Sequence, residues 1–314
     1  MAGSVFASTL DALNNTVRAG WRDSFNRATE NLVWRDLATD LGKSSTKSAS
    51  LDWLGETPDM EEKTRDDSHV GGMGRYSYTI THKVYQATLN IRLADLETDS
   101  QGQIKPRIDG LARKAATHPG RLMFDQLEAN PTAFDSTAWF ANTRTFGASA
   151  NIDNLAAGSG TTAADIEADL AAIRTSMMQF EDDKGEPMEL SPNVLIIPPG
   201  LSLEFAKVLG PVREVGGTAT QLGAVPPSQG NRWQAGGYTV YELARLTDAN
   251  NWYALHTGEE LNPFVFSWVT MPQILNTPSM NDSSVINSDV LQYAVRGYYT
   301  VGISLPHYAI SVVN

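Results

Sequence analysis

Few residues in this sequence have the types and spacing that chemistry requires. The densest polar group is Asp66-Asp67-Ser68-His69, whose carboxylates and imidazole could supply metal ligands or a general base. No further ligand stands at helix or strand spacing from it, so the plainer interpretation is a charged, solvated segment. The other histidines, His82, His118, His256 and His307, are too scattered to predict a multi-histidine site. A soluble hydrolase that uses Asp66, Asp67 and His69 is kept as one alternative.

Two glycine-containing segments resemble nucleotide-binding loops but lack the rest of those motifs. Leu41-Gly42-Lys43-Ser44 matches the end of a P-loop, whose first glycine would fall where the sequence has Leu37. Gly71-Gly72-Met73-Gly74 has neither the preceding strand nor the following helix of a dinucleotide-binding loop. The sequence therefore predicts no catalytic residues, no cofactor and no metal.

The composition excludes several classes of protein. The chain of 314 residues has no cysteine, which rules out disulfide scaffolds, thiol nucleophiles and iron–sulfur clusters. Its 24 basic and 36 acidic residues give a net charge of -12, which disfavours a surface that grips nucleic-acid phosphates but not one that encloses DNA. Charged residues are only 19% of the chain, which favours burial of surface between subunits. We expect neither a signal peptide nor a membrane-spanning segment.

The N-terminal part of the chain predicts helices. Phe6, Leu10, Leu13 and Val17 follow the spacing of one helical face, and residues 1–42 continue this apolar character through Trp21. Two interpretations are open: an ordinary packed helix pair, or an arm that docks on a neighbouring subunit. A small polar linker is expected at residues 43–50.

A long, exposed β segment is predicted next along the chain. Residues 76–82 alternate aromatic or apolar side chains with Ser and Thr, as a strand does, and residues 84–93 continue in extended form. Because unpaired strand edges promote association, a soluble monomer would rarely leave such an element exposed.

A long helix and a mixed α+β region are predicted for the rest of the chain. The helix covers residues 105–129, is bent at Pro119, and would be about 36 Å long at 1.5 Å per residue. A capping box at Thr162 and Asp165 predicts the start of a second helix. A buried strand at 194–197, a short helix at 201–209, a loop at 210–237 and several late strands follow, so the fold class is α+β.

Several landmarks occur in an order that identifies a family. They are Trp53-Leu54-Gly55, the strand 76–80, the segment 82–88, Asp95-Leu96-Glu97-Thr98-Asp99, Ala115-Ala116-Thr117-His118-Pro119 and Phe124-Asp125-Gln126-Leu127. This order resembles the major head (capsid) subunit of Mu-like phages and prophages, a family with the HK97-type capsid fold. Residues 288–306 resemble the closing strands of that family more weakly.

The resemblance implies a division of the chain. An HK97-type subunit has an N-terminal arm, an extended β-hairpin called the E-loop, a peripheral domain with a long spine helix, and an axial domain. The corresponding segments here are the arm at 1–50, the E-loop at 51–100, the peripheral domain at 101–185, the axial domain at 186–285, and C-terminal strands that complete the sheet at 286–314.

The resemblance also implies a function. It predicts a subunit that assembles through pentamers and hexamers into an icosahedral shell around double-stranded DNA, located in the virion and assembled in the host cytoplasm. The implied partners are the subunit itself, a scaffold, a portal and cement proteins, with no membrane and no sequence-specific DNA binding. A shell around protein cargo, as in encapsulins, is the alternative.

Contacts between subunits are expected at aromatic, apolar and charged side chains of the arm and E-loop. The candidates are Phe6, Leu10, Trp21, Trp53, Arg65, Tyr76 and Tyr78. Lys63 is a candidate for covalent cross-linking by its position alone.

Overall fold

The computed structural model describes residues 2–30, 32–54, 75–92, 104–147, 149–210, 237–258, 261–275 and 283–314. The helices in these ranges are α1 (Ala2–Thr29), α2 (Val33–Leu37), α3 (Ile104–Ala129), α4 (Ala163–Met178), α5 (Ser202–Leu209) and α6 (Ser283–Ser288). The strands are β1 (Ala38–Lys43), β2 (Ser48–Leu54), β3 (Arg75–Thr81), β4 (Lys83–Arg92), β5 (Arg144–Phe146), β6 (Ser149–Ile152), β7 (Leu155–Ala157), β8 (Val194–Ile197), β9 (Thr239–Glu242), β10 (Trp252–Leu255), β11 (Phe264–Ile274), β12 (Val290–Ile303) and β13 (Ala309–Val313).

A four-stranded sheet in the order β1-β11-β12-β4 organises one half of the molecule. β12 pairs antiparallel with β11 on one side and with β4 on the other, where Val290 faces Arg92 and Tyr299 faces Lys83. β1 joins the opposite edge through a parallel ladder that starts at Ala38 and Phe264. The helix predicted for residues 38–42 is therefore wrong, because pairing with a distant strand outweighs the local preference.

Two long helices lie against this sheet. α3 begins within a residue of its predicted start, and Pro119 lies inside it. α1 packs on α3 in a cluster that includes Val17, Trp21, Ile108 and Leu291. Of the two interpretations of the N-terminal helices, the described side chains of α1 therefore support a helix packed on its own chain.

A five-stranded sheet in the order β7-β13-β10-β8-β9 forms the other half. Its two faces alternate along β8: Leu195 and Ile197 pack with α4 and α5, whereas Val194 and Ile196 pack with the end of α3. The α4 stripe is buried as predicted, at Ile166, Leu170, Ile173 and Met177. The capping box that starts α4 at Thr162 and Asp165 is also confirmed.

A separate antiparallel ribbon, formed by β2 and β3, is seated against the four-stranded sheet. Its ladder runs from Ser48 opposite Thr81 to Leu54 opposite Arg75. β4, which follows directly after His82, is not part of the ribbon but pairs with β12. The described part of the predicted E-loop segment therefore divides between the ribbon and the sheet, while the predicted domain boundaries stay a prediction.

Candidate functional site

The ribbon joins the rest of the molecule at a buried corner occupied by His82. The backbone N–H of His82 donates to the Lys47 carbonyl oxygen over 3.0 Å, and its Nε2 lies 3.0 Å from Ser267 Oγ in a hydrogen bond. The ring also packs edge-on against Tyr298 at 5.7 Å between centroids. These contacts fix the position at which the chain turns from β3 into β4.

A second contact seats the ribbon on the sheet. Ile80 of β3 is buried beside Leu51 and Val265, and it lies over Gly302 of β12. A Cβ atom at Gly302 would overlap Ile80 Cδ1 and lie only 3.2 Å from its Cγ1 and Cγ2. Glycine at this position therefore provides the hollow into which the ribbon fits.

The Gly302→Ala substitution tests this seat. It is expected to lower the free energy of unfolding by about 1–2 kcal/mol, because the added methyl group displaces Ile80 from a close-packed site. Denaturant titration in a double-mutant cycle checks the cause. In the Ile80→Val background, which lacks the overlapping Cδ1, the cost of Gly302→Ala should fall; an unchanged cost would contradict the contact.

Two of the residues predicted to contact other subunits have described side chains. Tyr78 is half-buried, and its hydroxyl donates to the Thr132 carbonyl oxygen over 3.4 Å. Burial raises the pKa of Tyr78, so its hydroxyl stays protonated at neutral pH. Trp21 is 6% exposed and stacks on Phe25 with 4.9 Å between ring centroids. Both side chains therefore have partners within their own chain.

The other predicted contact residues fall where less is described. Trp53 and Tyr76 lie directly opposite each other on the ribbon, and Phe6 and Leu10 lie on α1. The side chains of these four residues lie outside the described part of the structure, as do all of Lys63 and Arg65. Their place in contacts between subunits stays a prediction.

An aromatic cluster joins α3 to the four-stranded sheet. His118 Nδ1 and the Tyr299 hydroxyl form a 2.7 Å hydrogen bond, and the Tyr85 ring lies 4.6 Å from His118 and 4.9 Å from Tyr299. Burial lowers the pKa of His118, and the nearby Arg121 cation lowers it further, against the opposing effect of Asp125. The neutral imidazole can therefore accept a hydrogen bond from Tyr299, whose pKa is raised by burial.

A cleft of about 710 Å³ opens beside this cluster. It lies between α3, the sheet at β4 and β12, and residues 242–245, which begin with the last residue of β9. Trp34, Tyr85, Leu111 and Phe124 give it apolar walls. The cleft is therefore bounded by segments that are far apart in the sequence.

The charged groups in the walls of the cleft are mostly cationic. Lys114, Arg121 and Arg245 line it, against one carboxylate from Glu242. Trp34 is 6% exposed, and its buried Nε1–H has no acceptor among the described residues. The lining thus offers hydrogen-bond donors and positive charge beside an apolar surface.

Sequence reasoning did not find the cleft. Tyr85 and His118 belong to two of the segments on which the family resemblance rests, but nothing in the sequence indicates that these segments meet. Arg245 and Trp34 carry no recognisable motif at all. The only available signal was the His-Pro pair inside a helix, an unusual position for proline.

A buried polar network holds together the segments before β7 and β13. Asn154 donates through Nδ2 to the carbonyl oxygens of Trp139, Pro306 and Ala309. His307, next to Pro306, is 2% exposed. Burial lowers the pKa of His307 to about 4, and the Arg144 cation adds to this shift.

The pKa of His307 predicts sensitivity to acid. Its unfolded value is about 6.5, so between about pH 6.5 and pH 4 the unfolded chain binds more protons, and stability falls as the pH falls. The loss attributable to His307 is expected to reach about 2 kcal/mol at pH 5 relative to pH 7. Denaturant titrations at both pH values should show this loss in the wild type and a smaller one in His307→Phe. An equal loss of stability between pH 7 and pH 5 in the two proteins would contradict the assignment of this loss to His307.

The described residues were compared with the sites that the sequence left open. Among them, no group of three or more His, Asp or Glu side chains could hold a metal ion. Within the same ranges, no helix is both long enough and apolar enough to cross a membrane. Asp66, Asp67 and His69, on which the hydrolase alternative rests, lie outside the described residues.

Comparison with known proteins gives matches at the level of sequence. Residues 10–166 match the model of a family described as Mu-like prophage major head subunit gpT. The major capsid protein of Escherichia phage Mu is 32% identical over 85 residues, which are 27% of this chain and 28% of that protein. The Mu-like prophage FluMu major head subunit of Haemophilus influenzae is 29% identical over 122 residues, 38% of each chain. The matched segments thus span well under half of these relatives.

A solved structure extends the comparison to the fold. A chain from the procapsid of bacteriophage JBD30 superimposes with a TM-score of 0.54, covering 96% of this chain and 75% of its own length at 18% identity. At that identity the likeness concerns the fold alone. The α+β, HK97-type capsid fold predicted from the sequence is confirmed.

Proposed function

Because the chain belongs to the Mu-like prophage major head subunit gpT family, we propose that it is the major capsid protein of a tailed bacteriophage. In this proposal it assembles through pentamers and hexamers into an icosahedral shell that encloses double-stranded DNA. The observation that carries the proposal is the match over residues 10–166 together with the capsid fold. The protein acts by binding copies of itself, and no catalysis is required.

The ribbon supports a role in assembly. His82 and Ile80 fix its base on the four-stranded sheet, so the paired strands β2 and β3 have a defined position. An element of one subunit that contacts the next makes a heterologous interface, and such interfaces form rings when the rotation between subunits closes. Because each subunit makes several such contacts at once, individually weak contacts add to a stable shell.

We assign the contacts between subunits to the ribbon, to the segment between its two strands and to α1. The residues are Trp53 and Tyr76 on the ribbon, Arg65 between β2 and β3 in the sequence, and Phe6 and Leu10 on α1. Trp21 and Tyr78 contribute indirectly, because Trp21 holds α1 on α3 and Tyr78 holds the ribbon near Thr132. The segments of the arm, E-loop, peripheral domain and axial domain keep the boundaries predicted from the sequence.

The contents and partners of the shell follow from the same proposal. A net charge of -12 suits a wall along which packaged DNA slides without sticking. A scaffold, a portal and cement proteins are the further partners, and the assembled protein is located in the virion after assembly in the host cytoplasm.

Sedimentation velocity over a concentration series tests the proposal. The purified chain is expected to shift from small species to one large particle above a threshold concentration, as closed shells do. A single small species at every concentration would contradict the proposal. Particles from phage-producing cells should contain nuclease-protected DNA; protein cargo in its place would favour the encapsulin-like alternative.

A further inference from the structure

We propose that β4 pairs with β4 of a second copy of this chain, antiparallel and about a two-fold axis that passes through Thr88. The inference rests on the proposed function and deepens it, because it names a contact that neither the ribbon nor α1 makes. Heterologous contacts can close subunits into one ring. A shell also needs contacts that join one ring to the next, and a two-fold pairing of outer strands makes such a contact.

The first argument is that β4 is a long and regular outer strand. It forms one edge of the four-stranded sheet, and its ten residues pair with β12 without a shift in register. The other outer strands of the two larger sheets are short or irregular: β7 has three residues, β9 has four, and β1 changes register between Asp40 and Lys43. Such features protect sheet edges from association, as do proline and charged side chains. Because β4 has no proline and is charged only at its ends, at Lys83 and Arg92, its edge is suited to association.

The second argument is the hydrogen-bonding capacity of the outer side of β4. In an antiparallel sheet, alternate residues of an edge strand point both N–H and C=O away from the neighbouring strand. Within the described ranges, the backbone of Lys83–Arg92 pairs only with β12. Side chains along this edge are accessible: Val84 is 49% exposed, and Gln86 and Thr88 are exposed as well. A further strand can therefore dock without displacing another described element.

The third argument is that the sequence of β4 matches itself when Thr88 lies opposite Thr88 of the second copy. In this register Gln86 lies opposite Asn90 of the second copy, so two amide side chains can exchange hydrogen bonds. Val84 lies opposite Arg92 of the second copy, whose aliphatic stem can cover it. Between its two end residues β4 carries no charge, so no like charges face each other in the ladder.

The chain's own residues 93–103, which connect β4 to α3, are too short to cover the whole edge. α3 runs antiparallel to β4, because its first half clusters with Ile91 and its His118 packs on Tyr85. A path from Arg92 out to the level of Tyr85 and back to the start of α3 is about 49 Å long. The connection from Arg92 to the first residue of α3 spans at most about 43 Å when fully extended. A second copy, in contrast, can cover the edge over its whole length.

Site-specific disulfide formation tests the pairing. The chain has no cysteine, so Thr88→Cys introduces a single thiol. Facing residues of paired strands have Cβ atoms about 5 Å apart, and oxidation of assembled particles should therefore give covalent dimers. Gln292→Cys is the matched control, because Gln292 is exposed on the same face but lies one strand further in, at least about 14 Å from its counterpart. Equal dimer formation by the two variants, or none by Thr88→Cys, would overturn the inference.

Complementary charges test whether β4 faces itself. Thr88→Lys and Thr88→Glu each place like charges opposite each other at the two-fold axis, so each variant alone should lower particle yield about tenfold. Mixed in equal amounts, the two variants should recover particles, because opposite charges then face each other. Gln292→Lys and Gln292→Glu should assemble as the wild type does, and circular dichroism of each unassembled chain shows whether it is folded. If the two Thr88 variants are folded and defective and their mixture stays defective, the inference is overturned.

The two proposals fail in different ways. Wild-type particles in which Thr88→Cys gives no dimer would overturn the strand pairing and leave the capsid function standing. Absence of wild-type particles under every condition would overturn the capsid function, and dimers of Thr88→Cys formed in solution would then still support the pairing.

Discussion

A chain in which residues 55–74 are replaced by Asn-Gly is expected to fold normally and to form no shells. Leu54 and Arg75 are directly paired, and Asn-Gly is the preferred two-residue connection between antiparallel strands. The shortened ribbon keeps Ile80 and His82 in place, so its seat on the sheet is preserved. The variant lacks residues 55–74, and we propose that these residues contact a neighbouring subunit.

Light scattering and circular dichroism distinguish folding from assembly in this variant. The circular dichroism spectrum should match that of the wild type, while the scattering signal of particles should be absent at concentrations about a hundredfold above the wild-type threshold. A variant with a Gly-Ser segment of equal length in place of residues 55–74 serves as the matched control for length. Shells formed by the Asn-Gly variant would contradict the proposed role of the ribbon.

The largest single-residue effect on stability is expected at Arg144. Its side chain is 1% exposed; Nε donates to Asp135 Oδ2 over 2.7 Å, and the Nη atoms donate to the carbonyl oxygens of Trp139 and Ala138. Arg144→Met removes the cation and leaves Asp135, the buried Trp139 carbonyl and the part-buried Ala138 carbonyl without these donors. The free energy of unfolding should fall by about 3–5 kcal/mol, the range for breaking one half of a buried ion pair.

Two matched variants isolate the cause of that loss. Arg113→Met removes an exposed arginine of α3 and should change stability by no more than about 0.5 kcal/mol. Arg144→Lys keeps the charge but lacks the planar fork that reaches three acceptors, so it should be intermediate. Denaturant titration gives the free energy of unfolding of the three variants. If Arg144→Met lowers this free energy as little as Arg113→Met does, the assigned hydrogen-bond network is contradicted.

Local patterns predicted the helices of this fold well. The boundaries of α3 and the buried stripe of α4 depend on periodicity and capping within one segment, and both are confirmed. The buried strand β8 is likewise a continuous apolar run between prolines. In each case the residues that decide the structure are neighbours in the sequence.

Pairing between distant segments could not be predicted in the same way. The sequence predicts helix at residues 38–42, where the structure has strand β1. The partner strand β11 lies more than two hundred residues later, so the local pattern contains no sign of the pairing. β4 was grouped with the ribbon, since the sequence gives no sign that its ten residues pair with β12. Long-range ladders depend on the whole fold, which a local pattern does not contain.

The candidate site also depends on contacts between distant segments, which local patterns do not predict. His118 and Tyr85 were noticed only as family landmarks, although with Tyr299 they form one cluster. The cleft beside them also needs Trp34 and Arg245, which are more than two hundred residues apart in the sequence. Sequence analysis therefore identified the family and the fold, but not the cleft that these distant residues form.

Negative-stain electron microscopy of the purified full chain tests the central claim most directly. We predict closed icosahedral particles, or at least the rings and tubes that pentamers and hexamers produce, above the assembly threshold. Monomers or small oligomers alone, under every condition of salt, pH and concentration, would contradict the account of this chain as a shell subunit.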